Sequence, residues 1–177
     1  TPTARALRRA STPRVLVGRP YGPAKARRYV REGIANARLY TEAVKDTPLI
    51  APQRVPPDRT HSYHLWGATY EGARHGISLK KFRQALKQNR IDLCLGYIGK
   101  APYLYDTYTV PLTYGRGCPF ACPLRPSPMV YKPGLCPVAE SVMPKLILVG
   151  MVGPRETHQK KAEKLHHLLN KLSRAGA

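Results

Sequence analysis

The 177-residue chain is predicted to adopt an α+β fold, in which a small antiparallel or mixed sheet carries helices packed on one face. Two periodicities indicate this. In three segments apolar residues recur at spacings of three and four, as on the buried face of a helix. Elsewhere short stretches alternate or are continuously apolar, as in strands. After residue 60 the order strand, helix, strand, loop, strand, helix favours helices layered on one sheet.

Proline and arginine divide the chain before that unit. Residues 1–20 are rich in arginine, contain no acidic residue and hold three prolines, which is typical of an extended basic arm. Residues 21–47 are predicted to form a connecting helix, and residues 48–59, with four prolines, a linker. Residues 60–177 are predicted to be the α+β unit. The apolar side of the connecting helix is predicted to comprise Val30, Ile34, Ala37, Thr41 and Val44.

The first half of the α+β unit begins with a predicted strand over residues 62–70. A helix over 78–89 follows, with Ser78 as its N-cap and Ile77 packed against Phe82 as a hydrophobic staple. Residues 91–97 alternate between apolar and other side chains and are predicted to be a second strand.

The second half starts with residues 99–137, which are rich in Pro, Gly and Tyr and are predicted to be a long loop. A short strand over 146–149 and a last helix over 155–172 complete the unit. The buried stripe of that helix is predicted to consist of Ala162, Leu165, Leu168, Leu169 and Leu172. No apolar run approaches the roughly 18 residues that span a bilayer, so no transmembrane helix is expected.

The charge of the chain favours an anionic partner, of which nucleic acid is the commonest. Thirty Lys and Arg residues stand against ten Asp and Glu residues, which gives a net charge of +20. Residues 1–40 hold ten of the cations and one acid. The basic start either binds phosphates or is a disordered or cleaved tail, since it also resembles an organellar transit peptide. The candidate nucleic-acid contacts are Arg5, Arg8, Arg9, Arg27, Arg28 and Arg31.

Motifs for the common catalytic chemistries are missing from the sequence. It contains no phosphate loop, no dinucleotide-binding glycine motif and no HExxH metal motif. The cysteines are Cys94, Cys118, Cys122 and Cys136. They lack the two tight pairs of a structural zinc site, so free thiols and no metal are expected.

Several motifs nevertheless occur in an order and spacing that resemble one enzyme family. They are Asn-Ala-Arg-Leu-Tyr-Thr-Glu-Ala-Val at 36–44, Thr-His-Ser-Tyr-His-Leu-Trp at 60–66, the helix at 78–89, Ile-Asp-Leu-Cys-Leu-Gly-Tyr-Ile-Gly-Lys at 91–100, Pro-Tyr-Leu-Tyr at 102–105, and Pro-Gly-Leu-Cys-Pro-Val-Ala-Glu at 133–140. Together they resemble the C-terminal small domain of the DegT/DnrJ/StrS family of sugar aminotransferases. The resemblance covers about two-thirds of the chain. The Cys-Pro pairs at 118–119 and 136–137 are most similar to the branch that aminates sugars and inositol-like rings.

The resemblance implies a fold-type I small domain and an activity that uses pyridoxal phosphate. In the family a lysine of the large domain forms a Schiff base with that cofactor. No segment here matches the lysine segment, so this chain alone is expected to be inactive and not to hold the cofactor. Its partner would be a large-domain half or a second subunit. His64, Tyr97 and Lys100 would face the substrate; alternatively they are a hydrogen-bonded histidine, a packed tyrosine and a solvated lysine.

Two functions from different classes follow. The first is the C-terminal part of a pyridoxal-phosphate aminotransferase acting on sugars or inositol-like rings, in the cytoplasm. The second is a non-catalytic basic module that binds RNA, such as a component of a ribosome in the mitochondrion or another organelle. Motif order supports the first, whereas the charge and the missing lysine segment support the second.

Overall fold

The computed structural model of the chain describes residues 22–97, 99–109, 126–127 and 130–176. After residue 60 its strands and longer helices follow the predicted order, but a short helix at Asp106–Thr109 lies within the interval 99–137 that was predicted as a loop. Residues 110–125 and 128–129 of that interval, and the predicted basic arm at 1–20, lie outside the described residues. The elements are α1 (Pro23–Val44), β1 (Ile50–Pro52), β2 (Leu65–Tyr70), α2 (Leu79–Gln88), β3 (Cys94–Leu95), α3 (Asp106–Thr109), α4 (Pro137–Val142), β4 (Leu146–Gly150) and α5 (Arg155–Gly176). Three short 3-10 turns, Gly72–His75, Pro102–Leu104 and Met143–Lys145, lie between them.

The four strands form one antiparallel sheet in the order β1-β2-β4-β3. In its centre Trp66 pairs with Val149 and Ala68 with Ile147. These four side chains are buried together with residues of α1, α2 and α5, because side chains of alternate strand residues point to the same face. The prediction of an α+β fold with a small antiparallel sheet is confirmed.

Helix α2 contributes Phe82, Ala85 and Leu86 to the core, and its predicted start at Ser78 is confirmed. The Ser78 hydroxyl accepts a hydrogen bond from the Lys81 amide at 3.2 Å, which satisfies a free donor of the first turn. Phe82 stacks on Tyr70 with ring centroids 4.3 Å apart and planes 9° from parallel. The Tyr70 hydroxyl donates to the Ile77 carbonyl at 3.0 Å, so its burial leaves no polar group unsatisfied.

Helices α1 and α5, each of 22 residues, pack side by side and run in the same direction. The contacts run in the same order along both helices: the Tyr40 hydroxyl is within hydrogen-bond distance of His158, and the Ala43 carbonyl is within hydrogen-bond distance of His166. Residues 23–32 of α1 are exposed throughout, so about 15 Å of this helix projects beyond the core. In the part of the chain that the structure describes, no helix is long and apolar enough to cross a membrane.

Two strands are shorter than predicted, and backbone conformation explains both. Strand β2 starts at Leu65 instead of residue 62, because Tyr63 has φ +50, in the left-handed region that no strand residue adopts. Strand β3 covers Cys94–Leu95 instead of 91–97. It ends at Gly96, where φ is +76 and a turn begins.

The interval 48–59, predicted as a linker, contains edge strand β1. Proline is tolerated at Pro52 because an edge strand leaves one row of backbone groups unpaired. Helix α1 likewise contributes to the core of the α+β unit. The buried side of α1 differs from the predicted one, since Val30 is exposed and Tyr40 is fully buried. The side that contacts α5 and the sheet carries polar side chains, which can be buried because their hydrogen-bond partners are buried with them.

Helix α4 and the turn before it are tied to residues 102–104 by Glu140. Its carboxylate accepts a hydrogen bond from the Tyr103 hydroxyl and one from the Gly134 amide at 2.7 Å. The bond from Tyr103 holds the pKa of Glu140 below its usual value. Cys136 is an exposed free thiol, as is Cys94, whereas Cys118 and Cys122 lie outside the described residues.

Candidate functional site

A cleft of about 820 Å³ opens where α1, the segment before β2 and the turn after β4 meet. Its size lies in the range of small-molecule sites in proteins. His64, the first of the predicted substrate-facing residues, is among its lining residues and is exposed to solvent. This cleft is therefore the candidate functional site.

Gly33 of α1 sets the distance between the helix and the segment before β2. A β-carbon at Gly33 would lie 3.2 Å from the Ser62 carbonyl oxygen and 3.3 Å from that of Tyr63. Those separations are tighter than ordinary carbon contacts, so a larger residue would push the segment outward. Glycine at this position lets Ser62 and Tyr63 lie directly against the helix and form one wall of the cleft.

The left-handed conformation of Tyr63 directs the chain from that wall into β2. A bulky residue with positive φ is rare and is maintained by its surroundings. Here the Tyr63 amide donates to Nδ1 of His61 at 3.0 Å, and the two rings meet edge-on with centroids 4.5 Å apart. The carbonyl of His64 then accepts a bond from the Met151 amide at 3.4 Å, which joins this wall to the turn after β4.

Asn36 holds the opposite wall. Its side chain is only 2% exposed, and its Nδ2 donates to the Met151 carbonyl at 3.2 Å and the Gly153 carbonyl at 3.4 Å. These two bonds attach the turn at residues 151–154 to α1 across 115 residues of sequence. A buried amide pays its desolvation cost only when its donors are satisfied, so the turn and the helix stabilise each other.

A buried aromatic group lies behind Asn36. The Tyr40 ring contacts that of Trp66, with centroids 5.5 Å apart, and its hydroxyl is 3.1 Å from Nδ1 of His158. The Trp66 indole donates to the Thr41 hydroxyl at 3.0 Å. Burial raises the pKa of Tyr40 to about 12, so its hydroxyl keeps its proton at physiological pH.

The charged lining residues are Glu32 and Arg155, and His64 adds an imidazole. Glu32 also forms an exposed ion pair with Arg28 at 3.5 Å. With the Ser62 and Tyr63 hydroxyls these groups offer donors and acceptors to a small polar molecule. All polar side chains of the lining except that of Asn36 are at least partly exposed, so they are accessible to a bound molecule.

The residues around the cleft do not fit pyridoxal phosphate. Its described lining contains no lysine that could form the Schiff base, and it includes the carboxylate of Glu32, which would repel a phosphate group. Among the described residues there is also no group of three metal-ligating side chains.

Tyr97 and Lys100 lie away from the cleft. The Gly96 amide bonds the Leu146 carbonyl at the start of β4, whereas His64 bonds Met151 just beyond its end. The five residue steps between those points correspond to about 16 Å. Tyr97 is 60% exposed, and the Lys100 ammonium lies 4.9 Å from the centroid of the Tyr105 ring. The structure therefore separates these two residues from His64 within one chain.

The candidate phosphate contacts of α1 lie on its projecting half. Arg27, Arg28 and Arg31 are all exposed. Arg28 pairs with Glu32, whereas Arg27 and Arg31 make no ion pair with any described residue. They share one helix face with exposed Arg38, because spacings of four and seven residues return to the same side. Arg5, Arg8 and Arg9 lie outside the described residues.

Sequence reasoning missed several residues that build the cleft, chiefly Gly33, Asn36, Tyr63 and His158. A signal existed for His158: it lies one helical step before Ala162 on the apolar stripe of α5, so its burial could have been predicted. Gly33 and Asn36 occupy the same side of α1 as Ala37 and Tyr40. The conformation of Tyr63 accompanies both its local bond to His61 and the close approach of Gly33 of α1 to its carbonyl, and the second of these contacts has no signal near residue 63 in the sequence.

Comparison with known proteins identifies no family: no protein-family model matches the chain, and no curated protein matches it. The resemblance to sugar aminotransferases thus depends on the motifs quoted above. The structure establishes an α+β fold with a four-stranded antiparallel sheet.

Because the cleft lining lacks a lysine, the purified chain is expected not to form a Schiff base with pyridoxal phosphate. The measurement is visible absorbance after mixing equal concentrations of protein and cofactor and removing the unbound cofactor. A stoichiometric absorbance band that disappears on borohydride reduction would contradict this expectation. Transaminase activity of the isolated chain is expected to be absent for the same reason.

Proposed function

We propose that this chain is the C-terminal part of a pyridoxal-phosphate aminotransferase that acts on sugars or inositol-like rings. In this proposal it supplies one wall of the substrate site, and a large domain on another polypeptide segment supplies the cofactor and its lysine. The α+β fold and the quoted motifs support the proposal. Substrate hydroxyls would be bound by the polar groups of the cleft.

The observation that carries the proposal is the position of His64. The resemblance points to this residue as substrate-facing, and it lies in the lining of a cleft of about 820 Å³. Arg155, Ser62 and Tyr63 line the same cleft. An imidazole, a guanidinium and two hydroxyls together match the many hydroxyl groups of a sugar, each of which both donates and accepts hydrogen bonds.

The projecting half of α1 adds support. A helix with about ten exposed residues before its first buried one leaves apolar side chains uncovered, here Tyr29 and Val30. Both also line the cleft. A neighbouring large domain packed on this part of the helix would complete the cleft with groups that the chain lacks, including the cofactor lysine.

The proposal is tested by a chimera in which this chain replaces the small domain of a DegT-type sugar aminotransferase. We expect pyridoxal-phosphate-dependent amine transfer to at least one keto sugar or keto-inositol. His64→Ala in the chimera is expected to lower kcat/KM at least tenfold, because one lost hydrogen bond to substrate costs about 1.4 kcal/mol or more. The readout is amino-sugar formation by mass spectrometry.

The matched control is His75→Ala, which removes an exposed histidine beyond the opposite end of β2 and is expected to leave kcat/KM unchanged. The decisive negative result is a chimera that folds and binds cofactor but aminates none of the compounds. If His64→Ala and His75→Ala change kcat/KM of the chimera equally, His64 does not contact the substrate.

A second candidate function, a non-catalytic RNA-binding module, is favoured by a different observation. Arg27 and Arg31 stand on an exposed helix face with no carboxylate partner among the described residues. Unpaired guanidinium groups are suited to phosphate because their planar donors can bind two oxygens at once. The net charge of +20 would attract a polyanion to this helix from a distance.

A further inference from the structure

Helix α5 carries a row of basic residues on the side that faces away from the core. Its apolar stripe, which includes Leu165 and Leu169, is buried. Five exposed positions lie opposite that stripe, and all are basic: Lys160, Lys164, His167, Lys171 and Arg174. Each lies two residues, a little over half a turn, from a buried position. Steps of three and four residues keep the row on one side of the helix over about 21 Å.

Most of the cations in this row are not neutralised by a neighbouring carboxylate. The two acids of α5 are Glu156, which pairs with Lys160 at 3.0 Å, and Glu163, which accepts a hydrogen bond from an amide side chain at 3.0 Å. No ion pair with a described residue is made by Lys164, Lys171 or Arg174. The helix dipole favours a cation in the last turn, where Arg174 lies, but it does not explain a lysine at position 164, more than two turns earlier.

The arginines of α1 that lack an ion pair lie on the same outer surface. Arg27, Arg31 and Arg38 are exposed on the side of α1 opposite to its buried residues. Helices α1 and α5 pack side by side in one core, and Arg38 and His167 line one groove of about 660 Å³ between them. The rows of α1 and α5 therefore face outward on the same side of the molecule.

The two rows follow each other along the helix pair. The Tyr40 hydroxyl is 3.1 Å from Nδ1 of His158, so these two residues lie at the same level. The row of α1 ends just before this level, at Arg38, and the row of α5 begins just after it, at Lys160. Their combined length is roughly 40 Å, because each helical residue adds about 1.5 Å. This surface, here called the basic band, consists of Arg27, Arg31, Arg38, Lys164, Lys171 and Arg174.

We propose that the basic band binds the sugar-phosphate backbone of double-stranded RNA. The proposal rests on the RNA-binding candidate function, to which it adds α5 and the kind of RNA, and it is independent of the aminotransferase proposal. The band is about as long as one turn of a nucleic-acid duplex, which is about 34–36 Å in B-DNA. Its six charged groups can each donate charge-assisted hydrogen bonds to a phosphate.

The surroundings of the band favour a duplex over a single strand. Proteins that bind single strands stack the bases on aromatic rings. The exposed tyrosines among the described residues lie elsewhere, Tyr29 at the cleft and the others between residues 97 and 108. A duplex keeps its bases stacked inside and presents a dense array of phosphates, so it needs cations and no rings. A membrane surface fits less well, because interfacial helices insert apolar side chains and α5 has no large exposed apolar residue among those described.

A depression at the end of the band favours RNA over DNA. It has a volume of about 460 Å³, and its lining residues are His167, Asn170, Lys171 and Arg174. The Asn170 amide nitrogen is 2.9 Å from Nε2 of His166, which leaves the Asn170 carbonyl oxygen to accept a hydrogen bond from a 2′-hydroxyl. Double-stranded RNA is recognised mainly by its shape and by contacts to phosphates and 2′-hydroxyls.

The test is the dissociation constant of the full chain for an RNA duplex of about 16 base pairs, measured by fluorescence anisotropy between about 50 and 200 mM salt. Changing Lys164, Lys171 and Arg174 together to glutamine is expected to reduce the slope of log affinity against log salt by about 2–3, since each lost phosphate contact removes about 0.9. Circular dichroism checks that this α5 variant folds. Should it not fold, Lys164→Gln and Lys171→Gln singly are each expected to reduce the slope by about 1.

The matched control changes Lys80, Lys81 and Lys87 of α2 to glutamine, which removes the same charge from exposed positions and should reduce the slope by less than about 1. The DNA duplex of the same sequence and the separated RNA strand are both expected to bind more weakly than the RNA duplex. Vesicles that contain phosphatidylserine are expected not to displace the RNA.

The proposal is overturned if the α5 and α2 variants lose the same slope, or if the parent chain does not bind the duplex at about 50 mM salt. Equal affinity for the DNA duplex or for the single strand contradicts the choice of double-stranded RNA, and displacement by the vesicles assigns the band to a membrane. If the α5 variant behaves like the α2 control while neutralising Arg27, Arg28 and Arg31 lowers the slope, α5 takes no part and the RNA-binding candidate function remains. The assay involves no cofactor or sugar, so none of these results bears on the aminotransferase proposal.

Discussion

Replacing Trp66 by alanine is expected to lower the free energy of unfolding by about 3–5 kcal/mol. The side chain is 0% exposed, lies in the central strand β2 and contacts the ring of Tyr40. Its removal leaves a cavity between the sheet and α1 and deprives the Thr41 hydroxyl of its donor. This loss is a large share of the roughly 5–15 kcal/mol that stabilises a typical domain.

Urea unfolding followed by circular dichroism measures this effect, because the variant lacks the single tryptophan and cannot be followed by its fluorescence. The control is Tyr97→Ala, which truncates an aromatic residue that is 60% exposed. Its free energy of unfolding should stay within about 0.5 kcal/mol of the parent value. A loss below about 1 kcal/mol for Trp66→Ala would show that β2 does not occupy the centre of the core.

Neutralising Arg27, Arg28 and Arg31 together is expected to weaken RNA binding strongly if the chain is an RNA-binding module. Each phosphate contact releases counterions, so affinity falls steeply with salt. For single-stranded RNA, three lost contacts should reduce the slope of log affinity against log salt by about 2. The three side chains are exposed on α1, so their replacement by glutamine should leave the fold intact.

The measurement is the dissociation constant for a single-stranded RNA between about 50 and 200 mM salt, a range over which several phosphate contacts change affinity by orders of magnitude. A triple variant of Lys80, Lys81 and Lys87 to glutamine is the control, since it removes the same charge from exposed positions of α2. A specific role of α1 requires that the arginine variant lose more slope than the lysine variant. If the arginine and lysine variants lose the same amount of slope, the RNA is attracted by net charge in general and not by α1. The aminotransferase proposal would then be the only one of the two functions left.

Much of the secondary structure followed from the sequence because its signals are local. The stripe of Phe82, Ala85 and Leu86 and the cap at Ser78 lie within a few residues of one another, and the structure shows both as predicted. The same holds for the extent of α1, where predicted and observed ends agree closely. For the cleft, sequence resemblance pointed only to His64, which lines it.

Strand ends and the burial of α1 depended on distant partners. The sequence around residue 63 is typical of a strand, but α1 brings Gly33 close to the Tyr63 carbonyl, and the residue adopts a left-handed conformation. Strand β1 resembles a linker until its backbone pairs with β2. In each case pairing or packing with another element decided a conformation that local propensity left open.

The sequence by itself determined the α+β class, the three long helices and the basic character of the first part of the chain, because composition and periodicity are properties of neighbouring residues. Only the tertiary structure decided that Asn36 would hold the turn after β4 and that His158 would be buried against Tyr40. These contacts join residues more than 110 positions apart. The spacing of residues along the sequence cannot predict contacts at such a separation, because the packing of α1 and α5 side by side on the sheet decides which residues meet.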